Sequence, residues 1–283
     1  MKQNKLQLLT FCLAILTFLT NSCSKENTPD INESQLSILM EDAYDALILE
    51  EILDEVMLDL EGYEYLKSSN TCPLRTIKTP EVGNYPKILI KDFGEGCTVH
   101  ESGIIRSGKI IITIRGPWCK EGSVRKITFE NYMHGNTLIE GNKKIECMGK
   151  TDEGYIWHTI AGNMKLTRER DDEKLVIKRQ VAKDRYMING FNDLEVANEW
   201  MIEGKVKVEK SDGLSYKVII SEPLYRIQGC RWFQYGIKQI DSDDNLVLLD
   251  YGYTGDEDSA CDSWMLRTIN DEEGKAIDLR RKP

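Results

Sequence analysis

Twice in this sequence an apolar run ends in Asp, an aromatic residue and Gly, and is then closed by a cysteine. The first copy is Ile88–Cys97 (ILIKDFGEGC) and the second is Leu246–Cys261 (LVLLDYGYTGDEDSAC). Short apolar runs that stop at turn residues are strand exits, and most of the chain between the copies alternates with the two-residue period of β-strands. The pattern predicts a mainly β fold: a large antiparallel β domain over 87–283, internally duplicated, built as a sandwich or a curved sheet. Gly108-Lys109-Ile110 and Gly204-Lys205-Val206 are similar strand starts, and 137–167 and 199–227 share a hairpin rhythm, as a diverged duplication requires. The period is too long for a solenoid.

Strands are expected near 87–92, 104–115, 124–132, 137–148, 155–161, 163–168, 174–180, 185–191, 199–210, 214–222, 224–229, 233–240, 246–250 and 264–270. Turn chemistry separates them at Gly135-Asn136, Asp152-Glu153-Gly154, Asp171-Asp172, Asp212-Gly213 and Ser242–Asn245. Residues 66–86, with Pro73, Pro80 and Pro86, read as an irregular connector.

The N-terminal quarter is different. Met1–Ser22 has Lys2 and Lys5 ahead of an apolar core, Leu6–Leu19, which is the build of a signal peptide. Cys23 follows Thr20-Asn21-Ser22 and precedes a polar run over 24–32, so the segment resembles a lipobox with Cys23 as the acylated residue of a lipid-anchored tether, 23–32. Residues 33–65 form an acidic amphipathic helical segment, capped by Asn32 or Ser34 and stopped at Gly62. Between Glu33 and Glu61 there are ten acidic residues and no Lys or Arg, so this segment holds nearly all of the formal charge of −10. Its apolar residues form two displaced stripes, Leu36 to Leu47 and Leu49 to Leu60, which predicts a break or bend near Ile48–Glu50. The segment reads most simply as helices packed on the β domain with their acids in water, or else as a lid or partner-binding lever. An acidic balance excludes nucleic acid as a partner, since phosphate binding needs a basic surface.

With Cys12 in the signal peptide and Cys23 acylated, Cys72, Cys97, Cys119, Cys147, Cys230 and Cys261 remain. An even number in an exported chain reads as disulfides. Proximity and the repeat favour Cys72–Cys97 and Cys230–Cys261, leaving Cys119–Cys147 by elimination.

The ordered set Asp92–Thr98 (DFGEGCT), Arg106–Thr113, Phe129–Tyr132, Ile139-Glu140-Gly141, Cys230-Arg231-Trp232, Asp250-Tyr251-Gly252 and Cys261-Asp262 resembles a group of uncharacterised Bacteroidota lipoproteins with DFGxGCT and DYGxGxCD signatures. The resemblance covers about 72–280 and implies no activity, cofactor or substrate. The insertion Tyr253–Ala260 departs from the second signature.

No catalytic constellation emerges. Asp92-Phe93-Gly94 lacks the other kinase motifs, so Asp and Gly should make a strand-exit turn with Phe93 packed inward. His100, His134 and His158 form no HExxH, and His158 beside Trp157 reads as structural. Asp241, Asp243 and Asn245 begin like an EF-hand loop, but Leu246 replaces the required glycine and Gly252 stands where the bidentate glutamate belongs, so a hairpin turn is expected. Asp256, Glu257, Asp258 and Asp262 in the loop 255–262 read as a solvated loop, with Ca²⁺ as the alternative. The tryptophans Trp118, Trp157, Trp200, Trp232 and Trp264 read mainly as core and edge residues, with sugar stacking as the minor reading. The expected protein is a lipid-anchored, non-enzymatic component of the outer membrane, periplasmic or surface-exposed, without cofactor. It meets the membrane through its anchor and binds an unknown protein or glycan partner or serves a structural role. The alternative is a carrier of a lipid or other apolar ligand beneath the N-terminal helices, and a glycan-binding or glycan-hydrolysing protein comes third.

Overall fold

The computed structural model describes residues 42–50, 52–53, 72–79, 85–98, 103–170, 173–190, 197–242, 245–253, 261–270 and 272–280. Cys23, His100 and Asp256–Asp258 lie outside them. A helix, α1, covers 42–50, with 52–53 also helical. Fourteen strands follow: Leu74–Lys78 (β1), Lys87–Asp92 (β2), Cys97–Thr98 (β3), Ile105–Ile114 (β4), Val124–His134 (β5), Thr137–Lys150 (β6), Ile156–Arg170 (β7), Glu173–Asn189 (β8), Glu199–Lys210 (β9), Ser215–Ile227 (β10), Tyr235–Ser242 (β11), Asn245–Tyr251 (β12), Trp264–Ile269 (β13) and Lys275–Asp278 (β14).

The strands make one antiparallel sheet. Its order follows the chain from β1 to β14, except that β3 pairs only with β4 and β2 pairs directly with β4. Of the two architectures expected, the curved sheet is therefore the one formed. Curvature has a local cause. Gly141, Gly162, Gly204 and Gly236 sit inside strands where an added Cβ would meet backbone of the neighbouring strand at 2.1–2.5 Å. Only glycine lets the strands bend at those points, and the sheet coils around them.

Three strands that the sequence splits in two are continuous. β7 runs through Gly162 and β8 through Ala182-Lys183-Asp184, each paired on both sides. β10 absorbs Ser221-Glu222-Pro223 as a bulge, with register shifts between Ile220 and Tyr225. A bulge tolerates a proline that has no N–H to give a ladder. The connector expected over 66–86 contains β1, an edge strand whose Leu74 and Ile77 are exposed, so no alternation betrays it.

α1 packs against the inner face of this sheet. Apart from half-buried Tyr44, all of its described side chains are buried, including Leu47, Ile48, Leu49, Ile52 and Leu53. Of the break or bend expected near Ile48–Glu50, no break falls within 42–50, where the helix is continuous. Two displaced apolar stripes call for a break only if a helix has one buried face, and a curved sheet buries more than one.

Both signature triplets make inward-facing exits. Asp92 Oδ1 accepts the Gly94 N–H at 2.9 Å, and Phe93 is buried with its ring 5.4 Å from that of Tyr132. Tyr251 is buried edge-on to Phe233, 5.2 Å between centroids. Disulfides Cys72–Cys97 and Cys230–Cys261 occupy equivalent places, each joining the segment before a hairpin's first strand to the loop after its second. Closing loops of 25 and 31 residues, each constrains the unfolded chain by roughly 3–4 kcal/mol. The third pair expected by elimination is not formed. Cys147 is buried in a core cluster with Ile156, Met187 and Trp200, and Cys119 packs against it as a second unbridged thiol.

Candidate functional site

The inner face of the sheet carries an unusual charge pattern. Ten Lys or Arg side chains from the strands are buried, from Lys91 on β2 to Arg267 on β13, while Asp278 at the far edge is the only buried strand carboxylate among the described residues. The other three buried carboxylates, Asp42, Asp45 and Glu50, come from α1. Helix and sheet therefore supply opposite charges to one interior.

Each acid meets a specific cation. Arg179 on β8 places Nη1 2.5 Å from Asp42 Oδ1, and Tyr216 on β10 donates its hydroxyl to the same oxygen at 2.9 Å. Arg168 on β7 pairs with Asp45. Lys183 on β8 reaches Glu50 Oε1 at 2.6 Å. Two further lysines approach, without a carboxylate partner of their own among the described residues: Lys143 on β6 donates to the Leu49 carbonyl at 3.1 Å, and Lys238 on β11 to the Tyr251 hydroxyl at 3.3 Å. α1 is thus fastened to four strands, β6, β7, β8 and β10.

Burial and pairing pull the ionisation equilibria in opposite directions. Burial alone would raise the Asp42 carboxyl, but Arg179, Lys238 and the Tyr216 hydrogen bond hold it below the usual carboxylate value. Glu50 is likewise held low, with Lys183, Lys143 and Arg185 outweighing its burial. Asp45 goes the other way, raised by burial and by neighbouring Asp42 despite Arg168. Burial among like charges lowers Lys143 to about 8 and Lys238 to about 7. The acids on α1 were expected in water; buried unpaired they would be too costly to keep charged, and the sheet supplies the counter-charge that makes burial possible.

Towards one end of the strands the cations lie on aromatic rings instead. The Arg125 guanidinium sits 4.7 Å over Trp118 and donates to the Gly116 carbonyl at 3.2 Å, while that of Arg185 sits 4.2 Å over Trp200. His158 stacks on Trp118 at 4.7 Å; its burial, with Arg185 and Arg125 nearby, lowers it to about 3 and keeps it neutral. His134 is also buried. The structural reading of His158 fits this packing.

The remaining sequence candidates do not converge. Among the described residues no three His, Cys, Asp or Glu side chains form a group that could hold a metal ion. Asp241 and Asn245 belong to the β11–β12 hairpin, and Asp262 accepts the Trp264 N–H at 2.8 Å. The five tryptophans are dispersed: Trp118 and Trp200 face the interior, and Trp157 faces outward. A cleft of about 690 Å³ opens beside Tyr44, lined by Ile104, Ile105, Trp232, Leu279, Arg231 and Arg280 among others.

Sequence reading missed Lys143, Arg179, Lys183, Tyr216 and Lys238. A signal existed: in β8 the inward parity runs Leu175, Ile177, Arg179, Val181, Lys183, Arg185, Met187, so cations occupy positions that should be apolar. Set beside an N-terminal segment, 33–61, with ten acids and no bases in its sequence, that parity pairs the two. Comparison of the chain with protein-family models, with curated proteins and with solved structures gave no match.

Proposed function

We propose that this chain is a lipid-anchored protein of the bacterial outer membrane, acylated at Cys23, that works by binding rather than by catalysis. The N-terminal sequence carries the address: a positive n-region, an apolar core and a cysteine before a polar tether. The observation that supports a binding role is the mutual neutralisation of α1 and the sheet interior. The densest group of acids and bases is occupied in holding the helix, with Asp42 and Glu50 each kept charged by a partner. Such pairing is the chemistry of a scaffold, and it leaves recognition to the outer surfaces. Intact-mass analysis of the membrane fraction should find the mature chain starting at Cys23 with diacyl or triacyl mass. A soluble species with another N-terminus, unchanged by Cys23→Ala, would sink the anchoring.

A second reading, a carrier, is favoured by the 690 Å³ cleft beside Tyr44, whose walls combine apolar side chains with Arg231 and Arg280. Its cargo would be an anionic amphiphile. Native mass spectrometry of the acylated chain, purified from bacterial membranes, would show a co-purified lipid beyond the anchor's own acyl mass if this reading is right and the acylated chain alone if it is not.

A further inference from the structure

The outer face of the sheet carries a charge pattern of its own. Three times, two lysines stand directly opposite one another across a hairpin: Lys126 and Lys144 on β5–β6, Lys165 and Lys178 on β7–β8, Lys207 and Lys217 on β9–β10. All six are exposed, as is Lys205, two residues before Lys207 on β9. Like charges facing each other across a ladder destabilise it, so the sheet's own energetics do not call for these pairs.

In each pair one lysine is bridged to a carboxylate and the other is not. Lys144 meets Glu146 at 2.5 Å, Lys165 meets Glu140 at 2.9 Å and Lys207 meets Glu209 at 2.7 Å. Lys126, Lys178, Lys205 and Lys217 make no salt bridge among the described residues. Lys178 and Lys217 do face Glu209 and Asp241 across the next ladder. The block still sets seven lysines against four carboxylates, Glu140, Glu146, Glu209 and Asp241. Because the formal charge of the chain lies mostly in its N-terminal segment, the block is a local positive field on the β domain. From β5 to β10 it extends roughly 24 Å, at strand spacings of about 4.8 Å.

Uncharged hydrogen-bonding groups lie between the lysines. Asn142, Asn163 and Gln180 are successive cross-strand partners on β6–β8, all exposed, and their amides bond to no described residue. A concavity of about 270 Å³ opens among Asn163, Gln180, Lys165, Lys178, Lys207 and Glu209. Beyond the row that holds Lys144 and Lys205 the next row is acidic, with Glu146, Asp184 and Glu203. An anionic chain is thereby confined to the lysine rows and directed across the strands.

We propose that this block binds an acidic polysaccharide, a linear chain bearing carboxylate or sulfate groups. Dispersed lysine point charges suit dispersed anionic groups. Carboxamides, which both donate and accept, suit the hydroxyls that lie between such groups on a sugar chain. Other polyanions fit less well. A nucleic acid strand finds no aromatic ring in the block for its bases to stack on. A bilayer is flat, whereas the outer face of a sheet coiled around α1 is convex and meets a plane only along a line. The inference deepens the binding reading and rests on it, but it is independent of acylation at Cys23.

The test uses the mature chain carrying Cys23→Ser. The acidic chains are polygalacturonate, alginate and heparin, dextran is the neutral one, and a single-stranded oligonucleotide and phosphatidylglycerol vesicles are the other anions. Binding to at least one acidic polysaccharide is expected, weakened by salt, with dextran unbound and the other anions at least tenfold weaker. The Lys178→Gln/Lys217→Gln variant should lose at least tenfold in affinity with its melting temperature unchanged or raised, since it removes facing like charges. Asn163→Ala/Gln180→Ala should also weaken binding, although it alters no charge. Lys275→Gln, at an exposed position on β14 outside the block, should leave it unchanged. Silence across all three acidic chains, an equal loss from Lys275→Gln, or oligonucleotide or vesicle binding as tight as that of the polysaccharide overturns the proposal. Full affinity after Asn163→Ala/Gln180→Ala reduces the block to plain charge attraction and overturns it too. The binding reading itself falls only if the chain turns over a substrate, so the two failures are distinct.

Discussion

Tyr216 and Asp42 lie 174 residues apart in the chain, yet the tyrosine hydroxyl donates to the Asp42 carboxylate at 2.9 Å in the interior of the fold. The same carboxylate pairs with Arg179, so one helix side chain ties together β8 and β10. Buried pairs of this kind contribute little over a well-packed apolar substitute, but breaking one strands an uncompensated charge.

Removing one partner of that pair should therefore be expensive. Asp42→Ala and Arg179→Ala should each cost about 3–5 kcal/mol in urea unfolding, while Tyr216→Phe should cost about 1 kcal/mol. The Asp42→Ala/Arg179→Ala double variant should lose less than the two singles together, because it leaves no unpaired charge. Additive losses would show that the two side chains act independently.

Stability should climb with pH from neutral into the alkaline range. Lys238 is lowered to about 7 and Lys143 to about 8, both below their ordinary value of 10.5, so the unfolded chain binds more protons than the folded one across that interval. Stability consequently rises between about pH 7 and 10, and Lys238→Met should flatten the rise. On the acid side, Asp42, Glu50 and His158 all titrate low in the folded state, so stability falls as pH drops below their unfolded values. Asp45, raised by its burial, works in the opposite sense and softens that fall. Chemical denaturation at stepped pH reads both limbs.

Sheet curvature should be sensitive to a single methyl group. Gly141→Ala would drive a Cβ to 2.1 Å from the Asn163 carbonyl oxygen, at a φ of +107°. Gly213 has a similarly positive φ of +93° but open space around it. Gly213→Ala should cost about 1 kcal/mol from backbone strain alone. Gly141→Ala should lose substantially more or fail to fold; equal losses at the two sites would argue against a bend at Gly141.

Thiol counting should separate the cysteines into two classes. In the mature chain carrying Cys23→Ser, alkylation after unreduced unfolding should label Cys119 and Cys147 and leave the other four blocked. In the folded protein Cys147 should resist labelling, being buried against Trp200 and Met187. Peptide mapping that joins Cys97 to Cys261 would contradict the paired hairpins.

The sheet was legible in the sequence because its signal is local. Alternation located β9 to the residue, and the Asp-aromatic-Gly triplets located the exits of β2 and β12. Long strands were read as two wherever a glycine or proline interrupted the pattern, since a bend and a break look alike in one dimension. β1 was missed because its apolar residues face solvent. The helix–sheet network was harder for another reason: no local rule says whether Asp42 points to water or to Arg179, 137 residues away. That is decided only when a curved sheet supplies cations on more than one side of a helix.

The way α1 is held has a mechanical consequence. Tension that reaches Asp42 is received by a helix. Asp42, Asp45 and Glu50 hand that load to β7, β8 and β10 at once, with Lys143 on β6 gripping the helix backbone at Leu49. Several bonds must then slip together in shear, whereas a pull on β14 would open one ladder bond at a time. With the middle of the sheet held, a pull on α1 at Asp42 should yield at higher force than a pull on β14 at Asp278.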